Sequence, residues 1–133
     1  MNKEELRKLY TDYLSEEGYK ASVDEDGDID FKYEGDNYII YVEDDDPLYF
    51  RIQTGFGVDI KSDEGIALHL NAANEINSEY KLGRTYVRID KELVMFELPL
   101  MFADPKDFKL FFKRCLSVLQ SMVSDYANKL EQE

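Results

Sequence analysis

Apolar side chains near the start of the chain recur every three or four residues. Between about Lys3 and Glu17 they form one stripe, made of Leu6, Leu9, Tyr10, Tyr13 and Leu14. This spacing is typical of an α-helix that packs one face on a core. Gly18 follows, and glycine is the residue type that most often ends a helix. The pattern therefore predicts an amphipathic first helix.

Alternation of apolar and polar residues replaces this spacing from Tyr19 onward. Short β-rich runs are separated by acidic or glycine-containing turns, of which Asp26-Gly27 is the strongest hairpin signal. Gly55 and Gly57 interrupt the last run and indicate a bulge or a close approach of another backbone. We expect an antiparallel meander with strands at Tyr19–Asp24, Asp28–Tyr33, Tyr38–Val42 and Leu48–Val58.

Helical spacing returns after Ser62, which stands where an N-cap is expected. The second helix is predicted to reach Tyr80 or Lys81, with an apolar stripe formed by Ile66, His69, Leu70, Ala73, Ile76 and Tyr80. Two further strands, Thr85–Ile89 and Leu93–Leu98, are joined by a short polar turn and form a second hairpin. Pro99 is expected to end that hairpin, because proline cannot donate to a sheet ladder.

The last helix has the clearest start in the chain. Asp104 is its predicted N-cap, Pro105 occupies the first helical position, and Asp107 completes a box-like pattern. Its apolar face is wide enough to pack on a sheet or against a second subunit. The element order is α-β-β-β(-β)-α-β-β-α. We expect one α+β domain over residues 1–133, with an antiparallel sheet of about five to six strands flanked by three helices.

The charge is acidic and uneven along the chain. The net charge is −13, and residues 1–66 account for −12 of it. An acidic surface repels phosphate backbones and anionic membranes, so we expect neither nucleic acid nor membrane as a partner. The same charge favours a partner that has basic stretches.

Several expected absences point to the cytoplasm. No run of about 18 apolar residues predicts a transmembrane helix, and the first residues lack the pattern of a secretory signal. Cys115 is the only cysteine and lies within an apolar helical pattern, so it is interpreted as a small buried hydrophobe. We therefore expect a protein of the reducing cytoplasm.

Two acidic clusters are candidates for cation binding. The segment 24–30 resembles a calcium loop, with Asp24, Asp26 and Asp28 as weak candidate ligands. However, its glycine does not fall at the sixth position of an EF-hand loop, and its flanks are strand-like. The preferred interpretation is an acidic hairpin turn. The cluster at 43–46 is interpreted in the same way, as a solvated loop.

No catalytic arrangement is recognisable. His69 is the only histidine and falls on or beside the stripe of the second helix, which favours a packed structural role. The chain has no phosphate loop, no nucleophile elbow and no CxxC motif. We therefore expect a non-enzymatic protein without a cofactor.

Aromatic residues on the predicted strands permit two interpretations. They either pack in the core, which is the default, or form an exposed sheet face suited to an extended partner. The candidates for partner binding are Tyr38, Tyr41, Tyr49, Phe50 and Phe56. The candidates for a homodimer contact lie on the last helix and are Phe112, Leu116 and Val123.

The order of elements resembles the type III secretion chaperone fold, and specifically its YbjN-like bacterial branch. The resemblance rests on DGDIDF at 26–31, NAANEINSEYKLGRTYVRID at 71–90, the hairpin VRIDKELVMFELPL at 87–100 and the helix over 104–130. It implies a small, acidic, often dimeric protein that holds extended polypeptides on a sheet surface. It brings no catalytic residues, and it implies for Asn77 only a structural role, bonding to backbone near the following turn.

The leading hypothesis is a chaperone-like, non-enzymatic binding protein that holds a polypeptide partner on sheet and helix surfaces. The alternative is a small-ligand or cation-binding regulatory domain that uses the acidic loops at 24–30 or 43–46.

Overall fold

The structure is a computed structural model that describes residues 1–132, and it has the predicted order of elements. Its helices are α1 (Lys3–Glu16), α2 (Asp63–Glu79) and α3 (Phe108–Gln132). Its strands are β1 (Ala21–Val23), β2 (Ile29–Tyr33), β3 (Asp36–Tyr41), β4 (Tyr49–Gly57), β5 (Arg84–Arg88) and β6 (Leu93–Met101). The α+β class and the three flanking helices are thus confirmed.

All six strands form one antiparallel sheet in the order β1-β2-β3-β4-β6-β5. The first four strands are a meander, as predicted. The second hairpin joins it through β6, which pairs with β4 from Tyr49 opposite Met101 to Gly57 opposite Leu93. This register is continuous, so Gly55 marks a close approach and not a bulge. α2 connects β4 to β5, and this connection passes β6, which lies between them in the sheet.

Helices α1 and α3 pack on one face of the sheet through aromatic contacts, and α2 packs beside α3 through His69 and Tyr126. The Tyr10 ring of α1 lies 5.8 Å from Phe50 of β4, and Phe112 of α3 lies 5.8 Å from Phe31 of β2. Phe96 of β6 meets Tyr126 at 5.4 Å in an edge-to-face arrangement, which is a favoured geometry for aromatic pairs. Within residues 1–132 no helix covers the opposite face of the sheet.

Local sequence signals explain the helix ends. Ser62 accepts a hydrogen bond from the Gly65 N–H, as expected of an N-cap. Asp104 and Asp107 form the predicted capping box, and Pro105–Asp107 is a 3₁₀ turn before α3 begins. Gly18 has a φ of +87°, which supports its predicted role at the end of α1.

The prediction that Pro99 ends its strand is wrong, because β6 continues to Met101. The N–H and C=O of Thr85 bond to the side chain of Asn77, so they point away from β6. Backbone groups alternate along a strand, so those of Arg84 and of its partner Glu97 point toward each other. Pro99 is two residues after Glu97 and therefore also turns its nitrogen to the β5 side. There β5 has already ended, since Arg84 lies opposite Glu97. Proline is tolerated at such an unpaired edge.

Cys115 and His69 are both buried, as predicted. Burial raises the pKa of the Cys115 thiol to about 11, so the thiol is not reactive near neutral pH. His69 Nδ1 lies 2.5 Å from the Tyr126 hydroxyl inside the helical layer. Both residues therefore belong to the packing of α2 and α3.

Candidate functional site

The face of β3, β4, β6 and β5 that points away from the helices is the candidate site, and we call it the open sheet face. Strand alternation places every second residue on it. Its central side chains are Ile39, Tyr41, Arg51, Gln53, Arg84, Tyr86, Met95 and Glu97. They come from four strands that are distant in sequence, so only the sheet register brings them together.

Glu97 is at the centre of this face. One row of the sheet runs from Ile39 through Gln53 and Glu97 to Arg84, each directly opposite the next. The rows on either side contribute Tyr41 with Arg51, and Met95 with Tyr86. Residues that lie opposite each other on one face have Cβ atoms about 5 Å apart. The polar side chains are therefore within reach of one another.

The Glu97 side chain has 0% solvent exposure although it belongs to a face without a covering layer. Its Oε2 contacts Arg84 Nε at 2.6 Å and Nη2 at 2.5 Å. Its Oε1 accepts from Arg51 Nη1 at 3.1 Å and from Gln53 Nε2 at 3.3 Å. A buried carboxylate is tolerated when its oxygens are paired in this way. The hydrogen bond to Glu97 also raises the pKa of Arg84.

Gln53 links the carboxylate to two tyrosines. Its Oε1 accepts a hydrogen bond from the Tyr41 hydroxyl at 2.5 Å, and its Nε2 donates to the Tyr86 hydroxyl at 2.9 Å. Burial raises the pKa of Tyr41, so this hydroxyl stays protonated at neutral pH and can donate. The two phenol rings are thereby held in fixed positions on the open sheet face.

Arg51 completes the network. Its guanidinium carbon lies 3.8 Å from the centre of the Tyr41 ring, a cation–π contact. Its Nη2 lies 3.7 Å from Glu43 Oε1, which connects the network to the acidic segment 43–46. Arg51 and Arg84 therefore approach Glu97 from opposite sides, and their planar groups form part of the surface.

A shallow concavity of about 440 Å³ adjoins this network, lined by Asn37, Ile39, Gln53, Gly55 and Met95 among others. Gly55 makes room for it. A Cβ on Gly55 would lie 2.6 Å from the Val94 carbonyl oxygen and 2.7 Å from Met95 Sδ. The Met95 thioether therefore lies directly against the Gly55 backbone. The arrangement combines apolar, aromatic and hydrogen-bonding groups, which is the composition of binding surfaces.

The partner-binding candidates separate into two groups. Tyr41 and Tyr49 are half-buried on the open sheet face. Tyr38 and Phe50 are buried on the helix side, so their assignment to a binding surface was wrong. Phe31 stacks on Tyr38, and Phe108 stacks on Phe50.

Phe56 is half-buried and shares the helix side of the sheet, where its ring lies 5.6 Å from Phe96. It therefore contributes to the core and does not belong to the open sheet face.

The dimer candidates are also corrected. Phe112 and Leu116 are buried within the core of the single chain, because α3 turns these residues toward the sheet. They cannot also contact a second subunit. Val123 is half-buried and packs against the same core. The homodimer stays a prediction, without two of its three candidate contact residues.

The acidic segment 24–30 forms the predicted hairpin turn. Asp24 Oδ1 accepts hydrogen bonds from the backbone N–H groups of Asp26 and Asp28, each at 2.9 Å. Asp28 Oδ1 accepts from the Val42 N–H at 2.9 Å, which ties the turn to the end of β3. One carboxylate oxygen from each of the three aspartates lies within 4.8 Å of the others. Burial and the nearby Asp24 and Asp28 raise the pKa of Asp30.

The residues at the centre of the open sheet face were missed by the sequence reasoning. A signal was present, because Glu97 is a lone charge within the apolar strand Leu93–Met101. Arg51 and Gln53 likewise interrupt β4. Strand alternation separates these residues from their apolar neighbours on the other side of each strand. Their pairing required the β4–β6–β5 register, which the sequence does not reveal.

The fold and the open sheet face define a small α+β domain with a single helical layer and an uncovered polar–aromatic surface. A family model described as "YbjN: Putative bacterial sensory transduction regulator" matches residues 7–128. The chain therefore belongs to the YbjN family. No curated protein matches it at a significant level. Within residues 1–132, no helix combines the length and apolar character needed to cross a membrane.

Proposed function

We propose that the protein is a non-enzymatic, chaperone-like regulator that binds a polypeptide partner on its open sheet face. The observation that carries this proposal is the network around Glu97, which fixes two tyrosines and two arginines on an uncovered surface. Tyrosine and arginine are the residue types that most often dominate binding energy at interfaces. The family description, a regulator of sensory transduction, is compatible with this role.

Preorganisation supports the proposal. Ordering a long side chain when a partner binds costs about 0.5–1.5 kcal/mol. Arg51 and Arg84 are already held by Glu97, and Tyr41 and Tyr86 by Gln53. A partner therefore meets a surface that needs little rearrangement, and the neighbouring concavity can receive an apolar side chain against Met95.

Charge favours a partner that has basic stretches, and we propose the cytoplasm as the compartment of this interaction. The turns that border the sheet carry the acidic segments 24–30 and 43–46. Such segments attract cationic partners during encounter, at a rate that falls with added salt. The same surface opposes nucleic acid and anionic membranes.

The test compares two variants that place a carboxylate at a partly exposed apolar position. Met95→Asp changes the open sheet face, and Leu70→Asp changes the outer side of α2, where Leu70 is exposed. Tagged proteins are incubated with native lysate at low and moderate salt, after thermal melting confirms that each is folded. We expect wild type and Leu70→Asp to retain one polypeptide that Met95→Asp loses. Recovery of no polypeptide by the wild type would overturn the proposal.

An alternative function is a cation-binding regulatory domain, favoured by the close approach of the Asp24, Asp26 and Asp28 carboxylates. A cation that binds only the folded state stabilises it by RT ln(1 + [L]/Kd). Thermal melting with added calcium would then show a stabilisation above about 2 kcal/mol at saturation, reduced in Asp26→Asn. No shift at millimolar calcium would leave this segment as a hairpin turn alone.

A further inference from the structure

A second surface, distinct from the open sheet face, lies where the end of β6 meets the first turns of α3. It is an apolar groove of about 280 Å³, and we call it the β6–α3 groove. Leu98 and Cys115 are buried at its base, and Phe102 stacks on Phe111 along one side with ring centres 5.8 Å apart. Leu82 and Arg114 complete its rim.

The groove is open because β5 is shorter than β6. β5 begins at Arg84, opposite Glu97, so residues 98–101 of β6 have no strand beyond them. Pro99 turns its nitrogen to this side and has no N–H to donate. Addition of a partner strand is therefore blocked at the middle of the free edge. A ligand at this position must be recognised by side chains entering the groove.

Exposed apolar side chains are concentrated around the groove. Met101 is 64% exposed, and Phe111 is 47% exposed although its ring contributes to the wall. Leu82, on the rim of the groove, is 37% exposed. Contiguous exposed apolar groups of this kind mark interaction sites more often than isolated ones.

The charge around the groove is opposite to that of the protein. The segments that line it, 81–84 and 98–117, carry six Lys or Arg residues and only two Asp. Two of the six, Arg84 and Lys113, pair with Glu97 and Glu17, which leaves four cations without a carboxylate partner among residues 1–132. The rest of the chain carries ten Lys or Arg residues and twenty-seven Asp or Glu residues. Both aspartates, Asp104 and Asp107, accept backbone hydrogen bonds or cap the start of α3. The apolar groove therefore lies in a basic region of an acidic protein.

Two of these cations lie beside the apolar wall. Arg114 lines both the groove and an adjoining hollow that contains Lys81 and Leu82. Two acids also line that hollow: Glu79 pairs with Lys129, and Asp125 accepts a hydrogen bond from the Tyr80 hydroxyl in the same hollow. Within residues 1–132, neither Lys81 nor Arg114 has a carboxylate within 4.0 Å.

We propose that the β6–α3 groove binds an acidic amphipathic segment of a partner polypeptide, whose apolar side chains enter the groove while its carboxylates meet Arg114 and Lys81. Because strand addition is blocked, a helical segment with apolar anchors at i, i+4 and i+7 is the fitting form. A second copy of this chain would bring the same cations face to face, which disfavours it as the occupant. This inference rests on the proposed function only in taking the partner to be a polypeptide.

The test uses a fluorescein-labelled peptide of about 14 residues, built from Glu and Ala with Leu at i, i+4 and i+7. Two comparison peptides replace Glu by Lys, or Leu by Ser. Fluorescence anisotropy is measured with wild type, Arg114→Glu and Lys109→Glu. Lys109 is exposed on the same helix and its variant makes the same change in net charge, but it does not line the groove.

We expect the acidic Leu peptide to bind wild type and Lys109→Glu, and to bind Arg114→Glu at least about tenfold more weakly, a difference of about 1.4 kcal/mol. Neither comparison peptide should bind measurably. Equal weakening by both variants, or equal binding of the basic peptide, would overturn the proposal. So would light scattering that shows a dimer in wild type and a monomer in Arg114→Glu, because the groove would then hold a second copy.

The Met95→Asp variant separates this inference from the proposed function. It should bind the acidic peptide as wild type does, since Met95 lies on the open sheet face and not in the groove. If lysate capture depends on Met95 while no acidic peptide binds, the groove proposal fails and the proposed function stands. If the peptide binds through Arg114 while the lysate yields no Met95-dependent polypeptide, the proposed function fails and the groove proposal stands.

Discussion

Arg84 and Glu97 lie directly opposite each other on β5 and β6, and two guanidinium nitrogens of Arg84 contact one carboxylate oxygen of Glu97 at 2.6 and 2.5 Å. The Arg84 side chain is 55% exposed, whereas Glu97 is fully buried. Glu97 is therefore a buried negative charge within the sheet, and the guanidinium of Arg84, which remains at the surface, lies over it. The stability of this face depends on how completely Glu97 is neutralised.

Removing both cations should destabilise the protein strongly. In Arg51→Met/Arg84→Met, Glu97 keeps only the Gln53 amide as a partner. An uncompensated buried charge costs about 3–5 kcal/mol. We expect a loss of unfolding free energy of this size in urea denaturation, and a larger loss than the sum of the two single variants.

Two further variants control this prediction. Arg88→Met removes an exposed arginine whose contact is with the exposed Asp90, so it should change stability by less than about 0.5 kcal/mol. Adding Glu97→Leu to the double variant removes the buried charge and should restore most of the lost stability. If the triple variant is as unstable as the double, burial of Glu97 is not the cause.

Local signals in the sequence were sufficient for the elements of the fold. Ser62, Asp104 and Gly18 act at helix ends through their own side chains or φ angles, so their roles do not depend on distant residues. The resemblance also implied that Asn77 bonds to backbone near the following turn, and this is confirmed at Thr85.

Tertiary pairing accounts for what the sequence did not reveal. The alternation in β4 showed that Phe50 and Arg51 face opposite ways, but not which face the helices cover. Phe50 was therefore assigned to a surface and Arg51 was overlooked. Phe112 was misassigned because a wide apolar stripe on α3 has the same pattern whether it packs on the sheet or on a subunit. Pro99 was misjudged because its tolerance depends on where β5 ends.

Asn77 should contribute to stability more than its place on a helix surface suggests. Its amide donates to the Thr85 carbonyl at 3.0 Å and accepts from the Thr85 N–H at 2.9 Å, which closes the outer edge of β5. Thr85 is buried, so Asn77→Ala leaves both backbone groups without a partner, at a cost of about 2 kcal/mol in thermal or urea unfolding.

The matched control is Asn74→Ala on the same helix. Asn74 is exposed, and alanine is the better helix former, so this variant should be neutral or slightly stabilising. Equal destabilisation by the two substitutions would mean that the contact with Thr85 contributes nothing.

Gly55 should tolerate no side chain. A Cβ there would lie 2.6 Å from the Val94 carbonyl oxygen, and this backbone atom cannot move without disturbing the β4–β6 pairing. We expect Gly55→Ala to cost about 1–3 kcal/mol in urea denaturation. At Gly57 the nearest atom is 3.9 Å away, so Gly57→Ala should cost clearly less. A similar effect at both positions would indicate a general cost of replacing glycine in β4.

Asp24 should stabilise the turn before β2 independently of any cation. Asp24→Ala removes an acceptor shared by two backbone N–H groups, and we expect a loss of about 1 kcal/mol in calcium-free buffer. Asp26 is exposed, and in Asp26→Ala its backbone N–H keeps the bond to Asp24, so stability should change by less than about 0.5 kcal/mol. Equal effects of the two substitutions would argue that mutual repulsion of the carboxylates dominates.

His69 should make the protein less stable in mild acid. Burial lowers its pKa below 6.5, an effect partly opposed by Asp59. Between the folded-state pKa and 6.5 the unfolded chain binds a proton that the folded protein does not, so stability falls as the pH drops through this window. His69→Gln keeps a polar group near the Tyr126 hydroxyl but cannot titrate. Urea denaturation at about pH 7.5 and 5.5 should therefore show a smaller loss for the variant than for wild type, whereas equal losses would assign the pH dependence to the carboxylates that both proteins share.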